Sequence, residues 1–169
     1  MEHVDGLTRR VPLVAFTLRG ERFAVRGLQV REVVRAVAIS PLPDAPGIVE
    51  GVINFRGRIV AVLDIGRRFG LPTRSLDPTQ HFILVDAGPR LVALRVDRAT
   101  DLLDVAAEAI EGAVAVAPGS AMTEGVARLD DGLVVIHHLE RFLSLDEGRM
   151  LDGALLGAAP AEEWNGGGL

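Results

Sequence analysis

The sequence predicts an all-β protein with short helices, built as two similar small barrels. Three observations point there. Apolar and polar residues alternate over short runs separated by Gly-, Pro- and Asp-bearing turns, the strand period. The longer apolar segments are rich in Val, which favours strand over helix. And Gly51-Val52 through Phe69 overlays Gly125-Val126 through Leu143 without a gap, at an offset of 74 residues from 51 to 125.

The elements follow in order. Val14, Phe16 and Leu18 alternate with Ala15 and Thr17. Arg19-Gly20-Glu21-Arg22 turns the chain, and Phe23-Ala24-Val25 returns, giving a hairpin. Leu28 to Ile39 reads as one Val-rich strand. Pro41, Pro43 and Pro46-Gly47 make a loop. Val52–Phe55 and Ile59–Leu63 form a second hairpin around Arg56-Gly57-Arg58, where Gly57 can take positive φ. Ile65 to Phe69 is a short helix, stopped by Gly70 and Pro72. Thr73 to Thr79 is a polar link.

Beyond the link the pattern restarts. Phe82–Val85 and Leu91–Val96 are strands around a turn at 86–90. Leu102–Val105 is a short apolar run, and Ala106–Ile110 reads as a helical turn. Pro118-Gly119 is a turn. Val126–Leu129 and Leu133–Ile136 form a hairpin with Asp130-Asp131-Gly132 at its tip. Leu139–Leu145 is amphipathic. A short helix is expected near Met150–Leu156, then a flexible tail. The expected domain spans 12–145, with lobes of about 12–80 and 81–145, and exchange of strands between them is left open; 146–169 forms the helix and tail. Lobes this small are marginal alone, so they share an interface.

Composition removes whole classes of chemistry. There is no Cys, and all 18 basic residues are Arg. That excludes a thiol nucleophile, a disulfide, a Cys zinc site, a Schiff-base Lys and a P-loop Lys. The formal net charge is −5, whereas a general nucleic-acid binder carries a basic surplus. No signal peptide and no transmembrane run is visible, so a soluble cytoplasmic protein is expected. His137 and His138 are strand neighbours that point to opposite faces and do not share a metal ion. Asp-Gly at a hairpin tip explains Asp130-Asp131-Gly132 without calcium. No cofactor or metal is expected. Trp164, the single Trp, lies outside the β-patterned body, as a partner anchor or as an exposed side chain of the tail.

Two charges inside β segments stand out. Glu32 follows Val30 by two and is expected on the same face of one strand. Arg56 sits at a hairpin tip. If that tip folds against the 28–39 strand, the two can pair, since the Arg fork matches a carboxylate. Composition alone points to two solvated surface charges, worth about 0–1 kcal/mol if they meet.

The string from Gly51 to Ile65, Gly-Val-Ile-Asn-Phe-Arg-Gly-Arg-Ile-Val-Ala-Val-Leu-Asp-Ile, resembles the signature hairpin of the CheW-like chemotaxis coupling proteins. The resemblance extends to Phe16-Thr17-Leu18, Val30-Arg31-Glu32-Val33, Val96-Asp97 and Asp101-Leu102-Leu103, and covers roughly 12–145. Phe55 stands where the family usually has Leu, and Ala61 where it has Pro. The resemblance implies two packed five-stranded SH3-like β-barrels. It implies a non-catalytic adaptor that couples a CheA-type histidine kinase to the cytoplasmic tips of methyl-accepting chemoreceptors, reaching the membrane only through those receptors. By the same resemblance Arg56, Glu32 and Val30 are receptor-binding. His81 stands where the family has a groove-side apolar residue and joins them as a candidate. No kinase-contact residue is assigned. The alternatives are an adaptor of a non-motility pathway, a small acid/base enzyme using His137, His138 and Asp64, and a peptide- or nucleic-acid-binding barrel.

Overall fold

The structure, a computed structural model, describes residues 9–112 and 123–158. The expected turn at Pro118-Gly119, the tail beyond 158 and Trp164 lie outside the described residues. Strands β1 (Arg10–Leu18) and β2 (Glu21–Arg26) form the first hairpin, closed by Arg19-Gly20, both at positive φ. A 3₁₀ turn at Gly27–Gln29 leads to β3 (Val30–Arg35). Then come β4 (Val49–Phe55), β5 (Arg58–Leu63) and the short helix α1 (Ile65–Arg68). After the link follow β6 (His81–Ala87), β7 (Arg90–Val96) and β8 (Arg98–Ala106). A 3₁₀ turn (Ala107–Ala109), β9 (Ile110–Gly112), β10 (Thr123–Leu129), β11 (Gly132–His137) and helix α2 (Leu145–Ala158) complete the order.

These strands form two mixed sheets. One has the order β8-β1-β2-β11-β10-β9, the other β3-β6-β7-β5-β4. The expected cut between 80 and 81 does not separate them. The β6–β7 hairpin inserts between β3 and β5, while β1–β2 inserts between β8 and β11. The two halves of the sequence thus exchange hairpins. Local periodicity shows that a hairpin forms, not which sheet receives it.

The repeat is visible in the pairing itself. Ala61 and Val62 of β5 pair in parallel with Val92 and Ala93; Val135 and Ile136 of β11, 74 residues on, pair in parallel with Phe23 and Ala24. Both copies carry a register shift at one place, between Val49 and Gly51 and between Thr123 and Gly125. A Cβ on Gly51 would lie 2.1 Å from the Ser40 carbonyl oxygen, and one on Gly125 2.5 Å from that of Glu111. Each glycine is therefore required by close backbone approach.

Burial explains the uninterrupted apolar runs. Leu13, Ala24, Ala127, Val134 and Ile136 form a small core within the six-stranded sheet. Ile53, Val60, Val62, Phe82 and Leu84 form another within the five-stranded sheet. Phe16, Leu63, Ile83, Leu94, Phe142 and Leu151 fill a larger core. Strands such as β6, with Phe82 to Val85 all buried, are thus covered on both faces and lose alternation. Helix α2 packs Leu151 and Ala154 on the large core and is tied down by Arg90–Asp152 at 2.8 Å and Arg68–Glu147 at 2.7 Å. It starts at Leu145, not near Met150, because Ser144 and Glu147 form a capping box. The Glu147 N–H donates to Ser144 Oγ at 3.1 Å, and the Ser144 N–H to Glu147 Oε1 at 2.9 Å.

Candidate functional site

β3 and β4 are the two edges of the five-stranded sheet, yet the sheet curls until they approach. Ser40, just beyond β3, exchanges backbone hydrogen bonds with Val52 at 2.8 and 2.9 Å. At the mouth of this curl, the β4–β5 tip comes over β3. The Arg56 guanidinium donates to Glu32 Oε2 at 3.1 Å, forms an ion pair with Oε1 at 2.9 Å, and lies 4.8 Å from the Phe55 ring centroid. The pair considered from the sequence is formed, and it joins the two edges of one sheet. The tip is a two-residue turn with φ of 51° at Arg56 and 84° at Gly57, and the Gly57 N–H donates to Asn54 Oδ1 at 2.9 Å. Arg56 holds a left-handed conformation that costs a residue with a Cβ about 1 kcal/mol. Its side chain is 71% exposed and that of Glu32 33%.

Val30 and Glu32 do not share a face, contrary to the expectation from spacing. The β3–β6 register shifts between them. Val30 aligns with Val85 of the large core and Glu32 with Leu84 of the small one. Arg31 is the extra residue, and one inserted residue reverses the alternation. Val33 and Arg35 then align with Ile83 and His81, so they return to the face of Val30. β3 has one hydrogen-bonded neighbour, β6. A partner along its other edge meets Glu32 and Arg56 on one side and Val30, Val33 and His81 on the other.

His81 sits where the two sheets meet. Its Nδ1 accepts from the Ala99 N–H of β8 at 2.9 Å, which needs the neutral ring. Burial, with Arg35 and Arg98 nearby, holds its pKa below the usual histidine value. Its neighbour in sequence, Gln80, belongs to a buried polar network. Arg95 and Glu50 form a buried ion pair, and Arg95 also donates to Gln80 Oε1 at 3.1 Å and to the Arg74 carbonyl at 2.5 Å. Burial pushes the Glu50 carboxyl up, against the pull of Arg95. This network ties the 71–80 link to β4 and β7. Sequence reasoning missed it, because residues 45 apart carry no spacing signal.

The acid/base arrangement is absent. His137 is buried among Phe69, Phe23 and Phe142, with ring centroids 4.7, 5.1 and 5.9 Å away. Asp64 is turned to Arg67 at 3.2 Å. His138 is half-buried on the stretch between β11 and the following 3₁₀ turn. Among the described residues no group of three His, Asp or Glu is placed to hold a metal ion.

A model of the CheW-like domain matches residues 12–147. The chain belongs to the CheW-like family. This CheW-like chain is 29% identical to the chemotaxis protein CheW of Klebsiella aerogenes over 139 residues, covering 81% of this chain and 84% of that one. It is 30% identical to the chemotaxis protein CheW of Rhizobium meliloti, covering 80% and 88%. Its fold is similar to the crystal structure of the scaffolding protein TtCheW from Thermoanaerobacter tengcongensis, with a TM-score of 0.75, 29% identity, and coverage of 82% and 96%. As a family member the chain is a non-catalytic chemotaxis adaptor. Among the described residues no helix is long and apolar enough to cross a membrane.

Proposed function

We propose that this CheW-like adaptor works in the cytoplasm, coupling a CheA-type histidine kinase to the tips of chemoreceptors, and that the receptor binds along the free edge of β3. Arg56, Glu32, Val30 and His81 are the contact residues. The observation that carries this reading is Arg56, a mostly exposed guanidinium on a strained two-residue turn, held in place by Glu32 and Phe55. Strain at an exposed turn is tolerated where the side chain it presents has a use. The edge beside it supplies unpaired backbone groups and the exposed Val33, features suited to a docked segment. We read the five-stranded sheet, drawn together by the Ser40–Val52 bridge, and the six-stranded sheet as two partly closed SH3-like barrels, the second with one strand more than the five expected.

Co-purification of the chain with the organism's CheA-like kinase and a soluble receptor fragment tests the reading. The expected result is a ternary complex with altered kinase autophosphorylation. No binding to any CheA-like kinase, or kinase binding without receptor recruitment, overturns it.

A further inference from the structure

Helix α2 and the loop that carries Pro41 to Gly47 leave a cleft of about 380 Å³ between them, lined by Pro43, Asp44, Met150, Gly153, Ala154 and Gly157. None of these residues belongs to the receptor site proposed above. Apart from Asp44, the walls are apolar. Met150 is 52% exposed, although the next residue of α2, Leu151, is packed in the large core. A Cβ added at Gly153 or Gly157 would meet nothing within 4 Å, so the space beside them is open. Asp44 is exposed, holds a left-handed φ of 66°, and has no hydrogen bond or ion pair among the described residues.

A matching occupant lies on the same chain. α2 ends at Ala158, beside Gly157 of the cleft wall, and Trp164 follows six residues later, outside the described residues. Six residues reach up to about 20 Å, whereas Met150 to Gly157 spans only about 10 Å of helix. Pro160 stands two residues past the helix end, and proline cannot continue a helix. The chemistry also agrees. An indole has a broad apolar body and a single N–H donor that needs an acceptor when buried. The cleft offers apolar walls and one free carboxylate. It also offers a thioether, which makes favourable contacts with aromatic rings.

We propose that Trp164 docks in this cleft of its own chain, with its ring against Met150 and Pro43 and its indole N–H donated to the Asp44 carboxylate. The segment after α2 is thereby strapped across the loop between β3 and β4. The inference stands independently of the receptor reading.

Trp164 is the single Trp and Tyr is absent, so the intrinsic fluorescence of the full chain reports this one side chain. In the free native chain its emission should be blue-shifted, and acrylamide should quench it several-fold less than in the urea-unfolded chain. Gly153→Leu fills the cleft from the helix side. Its Cβ has open space and Leu is the better helix former, so the fold is kept. This variant should return the emission to the red and raise quenching to nearly the unfolded level, with far-UV circular dichroism unchanged. Asp44→Gly, which suits the φ of 66°, removes the acceptor and should raise quenching part of the way. A native chain quenched as freely as the unfolded one overturns the proposal, and so does protection that neither variant alters. Protection that appears only when kinase or receptor fragment is added assigns Trp164 to a partner. Protection that grows with chain concentration assigns it to a second copy, and either result overturns the docking within one chain.

Discussion

Replacing Arg56 by Ala and, separately, by Gly separates what its side chain touches from what its backbone does. Both variants lose the contact with Glu32, worth about 0–1 kcal/mol at this exposure. Both lose the approach to Phe55, worth about 0.5–1 kcal/mol at an exposed site. Arg56→Ala keeps a Cβ at φ 51° and so keeps the strain; it should cost about 0.5–2 kcal/mol in all. Arg56→Gly relieves about 1 kcal/mol of left-handed strain and should lie within about 1 kcal/mol of the native protein. For a domain of this size 1 kcal/mol moves Tm by about 2–4 °C, so a thermal melt resolves the order native ≈ Gly > Ala. Receptor-fragment affinity should follow a different order. Both variants should lose it equally, because both lack the guanidinium. If the Gly variant binds receptor like the native chain, the turn and not the side chain makes the contact. If both bind like the native chain, Arg56 has no place in the site.

Gly51→Ala places a Cβ against the Ser40 carbonyl and must open the bridge that draws the five-stranded sheet together; a loss of about 3 kcal/mol or more is expected. Gly125→Ala, with slightly more room, should cost less, and urea titration of both variants checks the order. Ser144→Ala removes the acceptor of the Glu147 N–H at the start of α2 and should cost about 0.5–2 kcal/mol, read as a lower urea midpoint. His81 gives stability a pH dependence. Its folded pKa is depressed, by burial first and then by Arg35 and Arg98, so the folded chain holds fewer protons than the unfolded one. Its contribution is full above the unfolded value of about 6.5 and is lost as pH falls through the folded one. His81→Asn should shrink the stability difference between pH 8 and pH 5; an unchanged difference shows that another group sets it.

The hairpins were legible in the sequence because each depends on neighbours close along the chain and on one turn; the Arg56–Glu32 pair, between residues 24 apart, could only be raised as a condition on how the tip folds. Three features were not. β3 ends at Arg35, not at Ile39, because the backbone leaves β6 to reach the Val52 bridge, and no residue preference marks a strand that changes partners. The bulge at Arg31 is a single inserted residue inside an otherwise plausible run. The helical turn expected over 106–110 is a three-residue 3₁₀ turn between two strands, since Ala107–Ala109 favours a turn while Leu103 and Val105 are already committed to β8. The capping box, by contrast, was present in the sequence as Ser144-x-x-Glu147 and would have placed the start of α2.

The exchange also explains how a duplicated unit acquires unlike ends. The two tip hairpins share pairing, register shift and crowded glycine, but their turns differ: Arg56 and Gly57 both take positive φ, whereas Asp130 and Asp131 do not. The side chains at the two tips are opposite in sign. Where the first tip carries Arg56, the second carries Asp130, followed by Asp131, whose oxygens accept from Arg22 at 3.2 Å. Arg56 is drawn to Glu32 of its own sheet, and Asp131 to Arg22 of the exchanged hairpin. An adaptor needs two faces that do not compete for one partner. Duplication of the fold would give two equal faces; charge reversal and a different turn conformation at the tips make them unlike. The asymmetry that matters for coupling therefore lies in a few exposed side chains, and substitutions there should change partner choice while leaving the three cores intact.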